Sequence, residues 1–320
     1  MRVVAACVAT IASYITSAMA ADLKMPAPPQ TVASGPWDVG VGSALMSDYN
    51  IRGITQSAHK PSIEAYVEPR YSVSANLQLY SGLSANSIDF PNNAAAQIIF
   101  YGGVRPTVGK LTVDLGAWYL YYPGGRTFDG LSGTASCTTF NAALCSTIKA
   151  NLNFWEIYVK PTYAINDAWT VGGTVYYSPS SFNSGAWGTY ASGTATFALP
   201  RPLLPAAIGA SISAELGRYW FGTTDAFYGV PAFPSGINLP DYTTWNIGLS
   251  LTYRTFTLDL RYYDTDLSKA NCNVQTDDHT ATFGGAGAVT SINPKGLVSN
   301  WCGPAFIAKL SVDTALGGMR

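Results

Sequence analysis

Few residues of this sequence could carry chemistry, because Lys, Arg, Asp and Glu make up only 12% of the chain. That is about half the share usual in soluble domains. Twelve charged residues nevertheless lie at positions that are predicted to share one face of a sheet. They are the acids Glu64, Glu68, Asp114, Glu156, Glu215 and Asp259, and the bases Arg70, Arg105, Lys160, Arg254, Arg261 and Lys309. A mixed set of this kind can form internal ion pairs or can line a constriction that filters ions, and both interpretations stay open.

The charges also differ in their expected depth along the strands. Four acids fall nearer the middle or the outer end, namely Glu64, Glu68, Glu156 and Glu215. Three bases fall nearer the opposite end, namely Arg70, Arg105 and Arg254. Two opposite-charge pairs flank short turns, Arg105 with Asp114 and Arg254 with Asp259. Opposed belts of this kind predict a weak axial field and only mild ion selectivity.

Nucleophilic catalysis has little support. A hydrolase needs a nucleophile, a general base and a group that orients the base. The two histidines, His59 and His279, both fall in predicted loops. Ser57 and Asp48 lie near His59, but no nucleophile-elbow motif surrounds the serine. We therefore expect no enzyme and no cofactor, and the Asp-Asp-His run that ends at His279 lacks the spacing of a metal site.

The strands that must position these side chains are recognised by a period of two. From Trp245 to Tyr253, for example, apolar residues alternate with Asn, Gly, Ser and Thr. Side chains on a strand point alternately to opposite faces, so each such segment has one apolar and one polar face. About twelve segments follow the pattern, at 37–47, 61–73, 77–87, 96–107, 111–122, 152–163, 169–178, 187–198, 207–218, 242–254, 256–266 and 304–313. The eighth is rich in Gly, Thr and Ala, and its faces are hard to distinguish.

Three features distinguish a membrane barrel from a soluble sandwich. The polar faces carry Gly, Ser, Thr, Asn and Gln rather than many Lys and Glu, and Tyr and Trp gather at the ends of segments. The connections also alternate in length. Long ones at 48–60, 88–95, 123–151, 179–186, 219–241 and 267–303 alternate with short ones at 74–76, 108–110, 164–168 and 255. Outer-membrane barrels have short periplasmic turns and long extracellular loops, so we predict an all-β, closed, antiparallel transmembrane β-barrel over 37–320.

The N-terminal region has the pattern of a secretory signal. Arg2 precedes a mostly apolar stretch, and Ala18-Met19-Ala20 supplies small residues where a signal peptidase cleaves. We predict a signal peptide at 1–20 and a Pro-rich periplasmic lead-in at 21–36. With a net charge of −1 and no basic stripe, nucleic acid is not an expected partner.

Four cysteines remain in the mature chain: Cys137, Cys145, Cys272 and Cys302. An even number in an exported protein indicates disulfides, with three possible pairings. No pair has the CxxC spacing of a metal or redox site. Cysteines that are neighbours in sequence lie inside long predicted loops, which favours Cys137–Cys145 and Cys272–Cys302.

The first predicted loop contains, in this order, Ser47-Asp48-Tyr49, Arg52-Gly53, Gln56-Ser57 and Lys60-Pro61. It resembles the signature of the TorF-type porin family, which has Ser-Asp-Tyr, Arg-Gly, Gln-Ser and Lys-Pro in the same order. A similar Tyr-Tyr-Asp-Thr run occurs within Asp259–Asp266. The resemblance implies an outer-membrane barrel with pore activity and no settled substrate. The chain departs from the family in two long, cysteine-bearing loops and in lacking a terminal aromatic residue.

The motif residues Asp48, Arg52 and Gly53 lie in this first loop. If the loop folds inward, Arg52 could form a bidentate pair with Glu64 or Glu68. If the loop stays outside, Arg52 is a solvated surface charge. The sequence leaves both arrangements open.

We interpret the chain as a Gram-negative outer-membrane porin that passes small polar solutes or ions through a narrow pore. About twelve strands lie between the filled lumen of eight and the open channel of sixteen. The alternatives are a non-conducting structural or surface-binding barrel and, with less support, a lipid hydrolase. Expected partners are outer-membrane lipid, lipopolysaccharide and the assembly machinery. The solute, the ion selectivity and the oligomeric state are left open.

Overall fold

The computed structural model describes residues 35–129, 147–200, 205 and 207–317. Twelve strands form a single closed barrel, and each predicted segment is confirmed as one of them. We number them β1 to β12: Trp37–Met46, Ser62–Ser74, Leu77–Asn86, Gln97–Val108, Leu111–Tyr121, Phe154–Ala164, Trp169–Ser178, Gly188–Ala198, Ile208–Phe221, Tyr242–Tyr253, Phe256–Thr265 and Ala305–Ala315. The predicted signal peptide, the lead-in up to residue 34 and Cys137–Cys145 lie outside the described residues.

The sheet closes because β1 pairs on both sides. Gly40 of β1 lies opposite Glu68 of β2 and opposite Ala315 of β12. All other strands pair antiparallel with their neighbours in sequence, and the pairing of β11 with β12 completes the circle. A closed sheet leaves no edge, so the backbone groups of the strands bond to one another all round the barrel.

The alternation in the sequence sets which side chains face outward. In β6, Trp155, Ile157 and Val159 are exposed on the outer surface. The alternate residues Glu156 and Tyr158 are buried inside. The ambiguous eighth strand follows the same rule, since Gly188, Tyr190 and Thr196 are its buried residues. The barrel is therefore apolar outside and polar and aromatic inside.

Outward aromatic residues form a belt at each end of the barrel. The belt at the short-turn end contains Trp37, Tyr163, Trp169, Tyr253 and Phe256, and that at the long-loop end contains Tyr119, Tyr121, Trp155, Tyr177, Trp245 and Tyr262. Amphipathic rings favour the boundary between membrane and water, so two belts are typical of a membrane barrel.

Long and short connections alternate as predicted. The first loop contains a small hairpin, Asn50–Ile51 with Ile54–Thr55. Other loops contain the strand pairs Phe128–Asp129 with Thr147–Ile148 and Thr282–Phe283 with Leu297–Val298, the 3-10 turns Ser181–Asn183, Ala226–Tyr228 and Ala286–Ala288, and one α-helix, Lys269–Thr276. No helix in the described part of the chain is long and apolar enough to cross a membrane.

Candidate functional site

The first loop folds into the barrel as a two-residue hairpin turn at Arg52-Gly53. Both residues have positive φ, 51° and 85°, as a type I′ hairpin turn requires. A Cβ on Gly53 would lie 2.3 Å from Thr265 Cγ2 and 2.5 Å from Thr244 Oγ1. The tip therefore packs directly against β10 and β11, and only glycine fits there.

Arg52 reaches across the lumen to Glu156 on β6. Its Nη1 donates to Oε1 over 2.9 Å and its Nη2 donates to Oε2 over 2.8 Å, which is the bidentate geometry. Both side chains are at most 5% exposed. The bidentate contact was predicted for an inward loop, but its predicted partners, Glu64 and Glu68, are wrong.

Aromatic rings surround this ion pair. The Arg52 guanidinium carbon lies 4.5 Å from the ring centre of Tyr176 and 4.9 Å from those of Tyr190 and Tyr219. Trp118 Nε1 donates to Glu156 Oε2 over 2.8 Å, and Arg52 Nη1 also donates to the Tyr219 hydroxyl. Arginine over desolvated aromatic faces gains cation–π attraction. The hairpin is thus held to the far side of the lumen by charge, hydrogen bonds and ring contacts together.

Asp48 organises the base of the hairpin. It accepts hydrogen bonds from the hydroxyls of Thr55 and Ser57 and lies 2.9 Å from His59 Nδ1. His59 Nε2 lies 3.1 Å from the carbonyl oxygen of Asn300, in the last loop. The hydrogen bond with Asp48 raises the pKa of His59, against the opposing effect of partial burial. The first loop is therefore tied to the last loop through one titratable ring.

The same geometry does not match a serine–histidine pair. The Ser57 hydroxyl lies 2.9 Å from Asp48 Oδ1 and 2.7 Å from the Lys60 carbonyl oxygen. His59 directs Nε2 at the last loop and Nδ1 at the aspartate. Neither ring nitrogen is directed at the serine, so this cluster is arranged to hold a loop rather than to activate a nucleophile.

The predicted interior charges of β1–β6 and β12 occur mostly as ion pairs. Glu68 bonds to both Arg70, over 2.6 Å, and Arg105, over 2.9 Å. Arg105 also pairs with Asp114 over 3.1 Å, as the sequence predicts. Glu64 pairs with Lys309 over 2.6 Å. The carboxylates are thus largely neutralised by bases on the same strand, on the next strand or on the next strand but one.

The remaining interior candidates bond to neutral groups or to one another. Glu215 accepts hydrogen bonds from Tyr190 over 3.0 Å and from Asn246 over 3.2 Å. The Lys160 ammonium lies 4.1 Å from the ring centre of Tyr158. Arg261 pairs with Asp259 over 2.9 Å.

Arg254 does not belong to this lining. It lies in the turn between β10 and β11 with a φ of 54°, is exposed, and places its guanidinium over the Tyr253 ring. The predicted Arg254–Asp259 pair is therefore wrong, because Asp259 pairs with Arg261 instead. Arg70 and Arg105 both bond to Glu68, so the positive charge of the predicted basic belt is also largely neutralised.

Comparison with known proteins gives the family. A family model described as a bacterial protein of unknown function, Gcw_chp, matches residues 30–292, most of the chain. The chain belongs to this family. The resemblance to the TorF-type family stays a prediction, and no curated protein is significantly similar to the chain.

Several solved structures are similar in fold. An outer membrane channel from Pseudomonas putida is 11% identical, with a TM-score of 0.45 over 90% of this chain and 99% of that one. The KdgM porin is 7% identical, with a TM-score of 0.39 over 86% of this chain and 98% of that one. The NanC porin is 10% identical, with a TM-score of 0.39 over 88% of this chain and 100% of that one.

Two features of this site were missed by the sequence reasoning. The first is the hairpin, whose signal is the Arg-Gly pair between Ile51 and Ile54. The second is the set of buried inward tyrosines, Tyr66, Tyr80, Tyr158, Tyr176, Tyr190, Tyr219, Tyr242 and Tyr263. Glycines on neighbouring strands make room for some of them, since a Cβ on Gly217 would lie 2.2 Å from the Tyr190 hydroxyl. Aromatic rings therefore narrow the lumen as well as forming the outer belts.

The last loop is closed by the predicted disulfide between Cys272 and Cys302. Asp278 in this loop bonds to the hydroxyls of Thr280 and Ser299. Among the described residues no group of three His, Cys, Asp or Glu side chains could hold a metal ion. The disulfide and these hydrogen bonds fix the segment against which His59 rests.

Reduction of this disulfide should loosen the last loop without opening the barrel. The bond closes a loop of 30 residues, which the chain-entropy model makes worth about 3.5 kcal/mol. A C272S/C302S protein should be cleaved faster by protease within 266–304 while its folded barrel still migrates as a compact species on gels without heating. Unchanged cleavage, or loss of the compact species, would contradict this role.

Proposed function

We propose that the protein is a porin of the Gram-negative outer membrane, in which the first-loop hairpin restricts a narrow path for small polar solutes or ions. The observation that carries the proposal is the inverted polarity of a closed barrel. Its outer surface is apolar, its interior is charged and tyrosine-rich, and a loop folds back into the lumen. This arrangement suits a lipid exterior and an interior through which polar solutes move.

The outer surface supports the membrane location. Large apolar side chains such as Ile63, Leu216 and Phe306 are 61–68% exposed. A soluble protein rarely exposes a continuous apolar surface of this extent. Lipid and lipopolysaccharide would cover it in the proposed location. Export by the predicted signal at 1–20 and insertion by the outer-membrane assembly machinery belong to the same proposal.

The interior supports a narrow rather than a wide path. Arg52 crosses the lumen to Glu156, and inward tyrosines such as Tyr80 and Tyr158 have hydroxyls 2.5 Å apart on β3 and β6. Solutes would pass beside the hairpin or when it moves. The first-loop resemblance to TorF-type porins supports the same function, since the residues that carry the motif are those that build the hairpin.

Solute flux into liposomes tests the proposal. Vesicles that contain the purified protein should swell in small sugars, and the rate should fall steeply as the sugar grows. A matched preparation of heat-denatured protein should give no swelling. If folded protein gives no flux for the smallest sugar or for salt, the porin proposal is wrong.

A non-conducting structural barrel is the second candidate. The specific observation in its favour is the same hairpin, because the Arg52–Glu156 pair is almost fully buried. Under this alternative the hairpin never leaves the barrel wall, and the vesicles stay tight even when its contacts are removed.

The sidedness of the barrel gives a separate prediction. The long loops should face outward and the short turns should face the periplasm. Gly287, in the last loop, has open space where a Cβ would lie, and Asn76, in the first turn, is exposed. In intact cells an impermeant maleimide should label a G287C protein and spare an N76C protein. The reverse pattern, with both labelled after lysis, would contradict the topology.

A further inference from the structure

The barrel holds a cavity of about 390 Å³ at its long-loop end, beside the hairpin. We call it the vestibule. Its boundary includes Phe90, Tyr122, Phe154, Phe182 and Phe221, together with Arg52 of the hairpin. Cavities that bind small organic ligands measure about 300–1,000 Å³, so the vestibule is large enough for one.

Several aromatic rings line the vestibule close to one another. The rings of Phe90 and Tyr122 are stacked with centres 5.1 Å apart, and the planes of Tyr122 and Phe154 are inclined by only 7°. Phe182 lies 4.7 Å from Phe154, centre to centre. Flat rings in this arrangement offer both faces and edges to another aromatic ring.

Phe182 reaches its position through an unusual backbone conformation. Its φ is 49°, in the left-handed region that bulky residues rarely adopt, and the next residue, Asn183, has a φ of 54°. Strain of this kind persists where surrounding contacts hold it, and it clusters at ligand sites. The 3-10 turn therefore holds Phe182 against the cavity in a backbone conformation that an unconstrained chain would rarely adopt.

The charges at the vestibule balance. Arg52 and Glu156 bond to each other, and the other charged residues among the described part of its boundary are Lys295 and Asp277, one of each sign. An ionised ligand would find no excess of the opposite charge here, and moving it out of water would be costly. A neutral ligand is favoured.

Two residues on the boundary of the vestibule each carry a buried acceptor that has no hydrogen-bond donor among the described residues. They are Gln56 Oε1 and Asn273 Oδ1, on side chains whose residues are 5% and 6% exposed. Buried acceptors normally have a donor. Either amide, by turning toward the cavity, would take one from a ligand hydroxyl or N–H. The two residues belong to the first and the last loop, so such a ligand would contact both.

From the rings, the balanced charge and the two acceptors, we propose that the vestibule binds a neutral aromatic molecule that carries a hydroxyl or N–H donor. The rings would pack on the ligand ring, and Gln56 and Asn273 would accept from its donor. The proposal goes beyond the porin function, because binding can be measured with no membrane and no transport.

Binding of para-hydroxybiphenyl and of biphenyl to the purified, detergent-solubilised protein tests it. Saturable binding of the hydroxyl compound is expected, tighter than that of biphenyl by about five- to tenfold, the factor expected for one added hydrogen bond. Gln56→Leu should remove most of that preference while leaving biphenyl binding in place. Glucose, which lacks an aromatic ring, should not compete.

A matched pair of phenylalanine variants separates site binding from partition into detergent. F182A should weaken binding of both compounds severalfold, whereas F233A should not, because Phe233 is exposed in a loop and does not line the cavity. Compact migration on gels checks that both variants fold. Non-saturable uptake, or equal binding by the two variants, would overturn the proposal. Saturable binding by a protein that gives no solute flux would leave this proposal standing and refute the porin function.

Discussion

Arg52→Ala should raise the single-channel conductance of the protein severalfold in planar bilayers. The substitution removes both hydrogen bonds to Glu156 and the stack on Tyr176, Tyr190 and Tyr219. Breaking a buried ion pair by removing one partner costs about 3–5 kcal/mol. The hairpin should then leave the opposite side of the lumen, and the path beside it should widen.

Two further variants control this result. Arg52→Lys keeps the charge but loses the planar fork, so its conductance should lie between those of the wild type and the alanine variant. Arg218→Ala removes an arginine that is 44% exposed and should change little. Equal conductance of R52A and the wild type would show that the hairpin does not restrict the path.

Conductance should also rise with pH through the titration of His59. The hydrogen bond with Asp48 raises the pKa of His59 above the ordinary value for a histidine, with smaller contributions from Asn300 and Asp278. The charged ring can donate from both nitrogens, to Asp48 and to the Asn300 carbonyl. Protonated His59 therefore stabilises the docked first loop fully at pH values below the pKa that His59 has when the loop is undocked. That stabilisation is lost as the pH rises through the higher pKa that His59 has when the loop is docked.

A pH series between about 5 and 9 measures this effect, since histidine titrates within that range. The wild type should show low conductance at the acid end and a rise across the raised pKa, and His59→Gln should be flat. His279→Gln is the matched control, because it removes the other histidine and should keep the rise. A pH dependence that survives in H59Q would contradict the role of His59.

The strands could be predicted because their pattern is local. A period of two depends only on the types of neighbouring residues, and an apolar outer face with a polar inner face imposes it on all twelve strands. Even the eighth strand, whose composition is ambiguous, takes its faces from its two neighbours. Its Tyr190 lies inside because it pairs with Tyr176 and Tyr219 on the adjacent strands.

The partner of Arg52 could not be predicted, because Glu156 is 104 residues away and meets it only after the barrel closes. The depth and direction of an inserted loop depend on the whole ring of strands. Arg254 was wrongly predicted to face inward for a local reason, the backbone conformation of the turn in which it lies. The period of two continues through it, but a left-handed turn residue with a φ of 54° takes the side chain out of the lining.

Aromatic residues were only partly predicted, because residue type does not decide the face. Trp155 lies in an outer belt, whereas Trp118, which also lies near the end of a strand, is 5% exposed and donates to Glu156. An indole N–H that is buried needs an acceptor, and the interior supplies one. Only the strand register distinguishes the two tryptophans.

A double-mutant cycle of single-channel conductance on Arg52 and Glu156 tests the central claim most directly. The four proteins are the wild type, Arg52→Ala, Glu156→Gln and the double variant, each checked for compact barrel migration. If the buried pair holds the hairpin across the path, each single change should raise the conductance and the double variant should add little, because one contact is lost in all three. Four equal conductances, or two effects that add independently, would contradict the claim that this pair restricts the pore.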